Sequence, residues 1–200
     1  MKRVSCIDVG TNTALLLIAD LEPESGSIIS VLNRQTIVRL GEKVDRRKRI
    51  EQEALDRLLV CMREYRSISE SFRVDQIIAG GTSALRDASN CTEVVETIAR
   101  ETGIVIGCIS GSREAELTFF GAVAGLDNLP EPFAVIDIGG GSTEISMGSF
   151  DGIEERVSMD IGSVRLTERH FGSNPPSLRE FDAARQEINR TIAEIGRAHV

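Results

Sequence analysis

Two short stretches of this sequence carry residue types suited to holding phosphate. "IDIGGGSTE", residues 136–144, sets three glycines between Asp137 and Glu144, and "IDVGTNT", residues 7–13, repeats the outline. A tight turn between strands favours glycine, and successive N–H groups exposed in such a turn form a concavity that attracts anionic oxygens. Gly139, Gly140 and Gly141, with the Ser142 and Thr143 hydroxyls, are therefore candidate phosphate binders. Asp8, Gly10, Thr11, Asn12 and Thr13 are their candidate counterparts. Carboxylates beside a bound phosphate repel it unless a divalent cation intervenes. Asp137 and Glu144 are thus candidate ligands of Mg2+, or another divalent cation, directly or through its waters, with Asp8 the matching group. Read alone, the triple glycine supports only a hairpin, and the carboxylates only a turn cap and an exposed Glu. A strand follows each loop, which excludes a Walker loop and a dinucleotide fingerprint.

Two more segments offer chemistry. "GGTSALRDASN", 80–90, brings Arg86 to the end of a buried strand, where a guanidinium suits bidentate phosphate binding; pairing with Asp87 or a helix end is the plainer use. "ISGSREAEL", 109–117, puts Glu114 in the first turn of a helix. An acidic residue there offsets the helix dipole, Glu116 would serve equally, and spacing does not make Glu114 a base. "RRKR" at 46–49 is the densest positive patch, a solvated loop that would also draw a polyanion.

The elements that must position these groups follow from periodicity. Three β-rich runs open the chain: "RVSCIDVG", "TALLLIADLE" and "SIISVLNRQTIVRL". Leu55, Leu58, Leu59, Met62 and Tyr65 recur at helical spacing over 51–70. "DQIIAG" and "IVIGCIS" read as short buried strands, and a helix between them is capped by Asn90 and stopped at Gly103. Another helix, "SREAELTFFGAVAGL", turns Ala115, Phe119 and Ala122 inward, and one more covers 177–193. Asp8 and Asp137 lie 129 residues apart (137 − 8). A repeat at that distance means two related domains of α/β class, 1–125 and 126–193.

A net charge of −8 and a pI near 4.9 argue against nucleic acid as a partner. No apolar run approaches a membrane span, and the start lacks a signal peptide, so a cytoplasmic location is expected with no membrane partner. Cys6, Cys61, Cys91 and Cys108 show no CxxC spacing and read as buried, reduced thiols. The final "EIGRAHV" back-translates into the start of a common sequencing adapter, so 194–200 are expected to be a non-native tail.

With those segments in order, the chain resembles the exopolyphosphatase and guanosine pentaphosphate phosphohydrolase (Ppx/GppA) family of the actin, sugar-kinase and chaperone ATPase superfamily. "IDVGTNTALLLIAD" is similar to its first phosphate hairpin, "GTSALRDASN" to its arginine loop, "ISGSREAEL" to its catalytic-glutamate segment and "VIDIGGGSTEI" to its second hairpin. "IGSVRLTERHF", 161–171, resembles the segment after it.

The resemblance implies an actin-like (ribonuclease H-like) α/β fold of two domains, the second incomplete, with the active site in the interdomain cleft. It implies that Glu114 activates the attacking water, Arg86 contacts phosphate, Asp137 and Glu144 associate with the metal, and Gly139–Gly141 cradle phosphate. Arg113 stands beside Glu114 where the family often has an acid, a charge that would lower the base's pKa. The implied activity is a Mg2+-dependent release of terminal phosphate from polyphosphate or guanosine pentaphosphate by a homodimer. Two other readings are an ATP-dependent small-molecule kinase of the superfamily and a non-catalytic polyphosphate or alarmone sensor.

Overall fold

The structure, a computed structural model, describes residues 1–195 apart from 23, 25 and 127; the expected tail lies outside the described residues from 196 onward. Its contacts divide the chain into Met1–Ile109 and the part from Ser110 onward. The division falls at 109/110 instead of the expected 125/126.

In the first unit, β1 (Lys2–Val9), β2 (Thr13–Glu22) and β3 (Ser27–Ile37) form the expected meander. A short helix α1 (Val44–Arg47) and the long α2 (Gln52–Ser71) follow. Then come β4 (Gln76–Gly81), α3 (Ser83–Asp87), α4 (Cys91–Thr102) and β5 (Ile106–Cys108). The sheet order is β3-β2-β1-β4-β5, with β4 and β5 parallel to β1. α2 buries Leu55, Leu58, Leu59, Met62 and Tyr65, and each fully buried Leu or Met contributes about 2 kcal/mol. Tyr65 also bears on the turn: its hydroxyl donates to the Ala14 carbonyl at 2.8 Å, pinning the first residues of β2.

Asn90 is placed at the head of α4, but its side chain does not cap it. Its amide instead clasps Ile50, accepting from the backbone N–H at 2.9 Å and donating to the carbonyl at 3.1 Å. The basic run 46–49 is held beside that junction, Ser89 N–H donating to Lys48 O at 2.7 Å. Arg47, Lys48 and Arg49 each pair with an acid there, Glu51, Asp45 and Glu93. Cys61 is buried, Cys6 and Cys91 are half-buried, and Cys108 is exposed because β5 is an edge strand, which corrects the expectation of four buried thiols.

In the second unit, α5 (Gly111–Val123) packs on an antiparallel sheet of β6 (Phe133–Ile138), β7 (Thr143–Ser149) and β8 (Gly152–Met159). Ala115 and Phe119 face the sheet as expected, and Phe119 stacks on Phe133; Ala122 is exposed, since the helix ends one residue later. This packing is why residues 110–123 belong to the second unit. α6 (Ser163–His170) and α7 (Leu178–Ile195) complete it. Arg169 and His170 both bind Glu187, fixing α6 against α7. Among the described residues, no helix is long and apolar enough to cross a membrane.

Candidate functional site

Both glycine turns close with the same hydrogen bond: Gly10 N–H to Thr13 O at 3.0 Å, and Gly139 N–H to Ser142 O at 2.9 Å. A Cβ at either glycine would lie 3.0 Å from that acceptor carbonyl, so both are held to glycine by the same close approach.

Each turn is also backed by a segment that occupies its carbonyls. In the first unit, Gly41 N–H donates to Thr11 O at 2.7 Å, and the Val38 and Arg39 N–H groups both donate to Asn12 O at 2.9 Å. In the second, Ser163 N–H reaches Gly139 O at 2.9 Å, and Val164 and Arg165 N–H reach Gly140 O at 2.9 and 3.1 Å. The buried Arg165 side chain takes the third carbonyl, its Nε donating to Gly141 O at 2.6 Å. In a trans peptide the N–H points opposite to its C=O, and these peptides are trans. The amides of Asn12 and Thr13, and those of Gly140, Gly141 and Ser142, therefore face away from the backing segments. That is the array of donors an anion needs.

The carboxylates lie around the second turn. Asp137 and Glu144 are directly opposite in the β6/β7 register. Glu144 is only 2 % exposed; Ser158 Oγ donates to its Oε1 at 2.7 Å, while Oε2 is buried with no hydrogen-bond partner. Burial pushes the Glu144 carboxyl up, hydrogen bonds from Ser158 and Ser142 oppose this, and the Glu114 and Asp137 carboxylates raise it further. Asp137 accepts a 3.4 Å bond from Thr118 Oγ1 on α5, one turn beyond Glu114. α5 itself starts at Ser110, whose side chain accepts from Arg113 N–H at 3.2 Å. Arg113 pairs with Glu116 at 2.9 Å.

Whether these residues fit a divalent cation turns on Glu144. A buried carboxylate with an orphaned oxygen, next to two more carboxylates, is short of positive charge. Among the described residues no group of three or more His, Cys, Asp or Glu forms a ligand cage. Mg2+ needs none when one or two carboxylates, waters and phosphate oxygens complete its shell. The donor set fits such a hydrated ion.

In the first unit Asp8 is exposed at the end of β1, and Thr11 is buried with its Oγ1 unpartnered. Arg86 stands on α3 and donates through Nη1 to Ile109 O at 3.1 Å. The 129-residue repeat aligns Leu15, 39 % exposed, with Glu144, so only the second turn has a carboxylate on both strands. Sequence reasoning missed Gly162, Ser163, Arg165, Ser158 and Thr118. The one available signal was the Gly162-Ser163 pair opening a helix, with the arginine three residues after the glycine.

Comparison with known proteins adds the family. Residues 17–199 match the model of the Ppx/GppA phosphatase family. The chain is 40 % identical over 174 residues to a bifunctional 3-dehydroquinate synthase/phosphatase of Fusobacterium nucleatum, covering 84 % of this chain and 26 % of that protein. It is 37 % identical over 199 residues to exopolyphosphatase 2 of Mycobacterium tuberculosis, covering 96 % and 62 %. The crystal structure of an exopolyphosphatase from Cytophaga hutchinsonii superimposes with a TM-score of 0.90 at 32 % identity, over 98 % of this chain and 62 % of that one. The fold is thus the actin-like α/β class of those structures, and the chain spans under two thirds of the length of these relatives.

Proposed function

The chain belongs to the Ppx/GppA phosphatase family, and from that premise we propose that it serves a hydrolase of phosphoric anhydrides, releasing terminal phosphate from inorganic polyphosphate. The observation that carries this reading is the second turn: three carbonyls taken up from behind, three amides facing the other way, and the buried, orphaned Glu144 beside them. A neutral substrate would give that array no anion to hold.

Terminal phosphate oxygens accept from the amides of Gly140, Gly141 and Ser142. The expected hydroxyl donors are turned elsewhere, Thr143 Oγ1 donating to the Ile161 carbonyl at 2.7 Å and the buried Ser142 hydroxyl bonding the Glu144 carboxylate. On the first unit the turn from Asp8 through Gly10, Thr11, Asn12 and Thr13 is assigned the same work, and Arg86 a charged contact to phosphate. Glu114, on rigid α5, orients a water and takes its proton as the oxygen attacks the terminal phosphorus in line; the bridging P–O bond breaks and the shortened chain leaves as an anion. Asp137 and Glu144 would hold Mg2+, whose chemistry is to offset phosphate charge as it shifts to the leaving oxygen. Thr118 and Ser158 keep the two carboxylates in place.

The experiment is phosphate release from polyphosphate and, side by side, from guanosine pentaphosphate, with Mg2+ varied. Glu114→Gln is expected to lose at least about a hundredfold in turnover, the scale of a general base. Glu116→Gln, which removes only the Arg113 pair, is expected to stay within about twofold. Full activity in Glu114→Gln, or equal losses in both, sinks the assignment. Release from guanosine pentaphosphate alone would move the substrate to the other one the family name covers.

A further inference from the structure

Cys91 opens α4 and Cys108 closes β5, at the ends of two elements that pack on each other. Cys108 is exposed on the edge strand, and Cys91 is half-buried against the core. The two positions meet at the same end of this packed pair, since Arg86 bonds Ile109, the residue after Cys108, and Cys91 bonds Ala88, two residues past Arg86. Burial first and the Cys108 thiol second push Cys91 up to about 11. Neither has a part in phosphate chemistry, yet both flank the segment that holds Arg86. Ile109, next after Cys108, donates its N–H to Gly81 O at 2.9 Å and accepts Arg86 Nη1 at 3.1 Å. On the other side, Cys91 N–H is bonded to Ala88 O at 3.1 Å, just past the end of α3.

We propose that Cys91 and Cys108 are a redox modification site, closing to a disulfide with a peroxide as oxidant and reopening with a dithiol. The exposed Cys108 thiolate attacks one peroxide oxygen; the O–O bond breaks, hydroxide leaves and is protonated to water, and Cys108 becomes a sulfenic acid. The Cys91 sulfur then attacks the Cys108 sulfur, the S–O bond breaks, and the Cys91 thiol proton leaves with the hydroxyl as a second water. The thiol pair gives up two electrons and one peroxide becomes two waters. The order follows from exposure, because peroxide reaches Cys108 directly while the half-buried Cys91 reacts second. Cys61 is buried and so shielded from this chemistry. Closure ties the head of α4 to the residue before Ile109, and so restrains both ends of the Arg86 segment.

The test treats the reduced protein with hydrogen peroxide and reads its mass. The expected product is lighter by about 2 Da, yields one linked peptide pair containing Cys91 and Cys108 on digestion, and reverts with dithiothreitol. Cys108→Ser is expected to abolish the link. Cys91→Ser is expected to stop at a sulfenic acid that dimedone traps. Four unmodified thiols, a link between other cysteines, or Cys108 driven to sulfinic acid while Cys91 stays reduced would overturn the proposal. Its effect on function rests on the phosphatase reading and is measured separately, as tripolyphosphate binding before and after oxidation. Oxidation is expected to weaken binding severalfold in the parent and not in Cys108→Ser; unchanged binding in the linked protein overturns the effect. Absence of tripolyphosphate binding in the reduced parent would count against the phosphatase reading, the mass result standing independently.

Discussion

Asp137 and Glu144 face each other directly across the β6/β7 pair, and only Glu144 is buried, with one oxygen bonded to Ser158 and the other to nothing. Its carboxyl is held above the ordinary value of 4.5. A raised folded-state pKa means the native state binds more protons than the unfolded one between those two values, so this group's contribution falls as pH rises through that window. Without ligand, Glu144→Gln is therefore expected to raise the melting temperature at neutral pH by about 2–4 °C, the shift that 1 kcal/mol gives a chain of this size. The gain should vanish below about pH 4.5, where the parent carboxyl is itself protonated. Thermal melts across pH check this, and the same variant is expected to lose Mg2+-dependent turnover.

Arg165 is the guanidinium behind the second turn, 6 % exposed and bonded to Gly141 O. Arg165→Met keeps much of the volume and removes the donor. Leaving that carbonyl unpaired costs about 1–3 kcal/mol. The turn's amides lose their fixed direction with it, so phosphate binding should weaken more than tenfold. Denaturant melts and calorimetric titration with tripolyphosphate measure the two effects.

Gly162 admits no side chain: a Cβ would lie 2.5 Å from Gly140 O and 2.6 Å from Gly141 N, both backbone atoms that cannot swing aside. Gly162→Ala is expected to cost about 1–3 kcal/mol as α6 is pushed off the turn. Gly121→Ala, where a Cβ meets nothing within 4 Å, is the control and should be neutral or slightly stabilising.

Glu180 closes the loop before α7, accepting from the N–H groups of Gly172 at 2.8 Å, Ser173 at 3.1 Å and Ser177 at 2.6 Å and from the Ser173 and Ser177 hydroxyls. The Ser173 hydroxyl bond leads the causes that hold its carboxyl far below 4.5. A depressed folded-state pKa gives stability that is present above 4.5 and lost as pH falls through the folded value. Glu180→Gln should speed hydrogen exchange at the Gly172, Ser173 and Ser177 amides at pH 7. In the parent, the same amides should open only in strong acid.

Much of the fold was legible because the signals are local. The span Thr13–Glu22 is an apolar run bounded by turn residues and reads as a strand, and Leu55, Leu58, Met62 and Tyr65 mark one face of α2 by spacing alone. The 129-residue repeat marked both turns, and Gly10 and Gly139 prove to make the same bond. Local signals also misled. Asn90 has the residue type of a helix cap, but the Ile50 backbone competes for its amide and wins both ends of it. Residues 110–125 precede the turn-rich stretch after which the opening pattern returns, and so read with the first domain, while Phe119 finds its partner in Phe133 on the second sheet.

The sequence by itself determined that two strand–turn–strand units with an aspartate at each turn exist, and that their glycines permit close approach to an anion. Only tertiary structure decided which way those turns point their amides. That direction depends on which segment occupies the carbonyls, and a peptide group cannot turn both faces the same way. Gly41 and Arg39 do this for one turn, and Ser163 and Arg165 for the other, from positions some twenty to thirty residues away, a pairing that local spacing does not specify. The same holds for Glu144. Its chemistry comes from being enclosed by Ser158, Glu114 and Asp137 from three other elements, and enclosure is a property of packing.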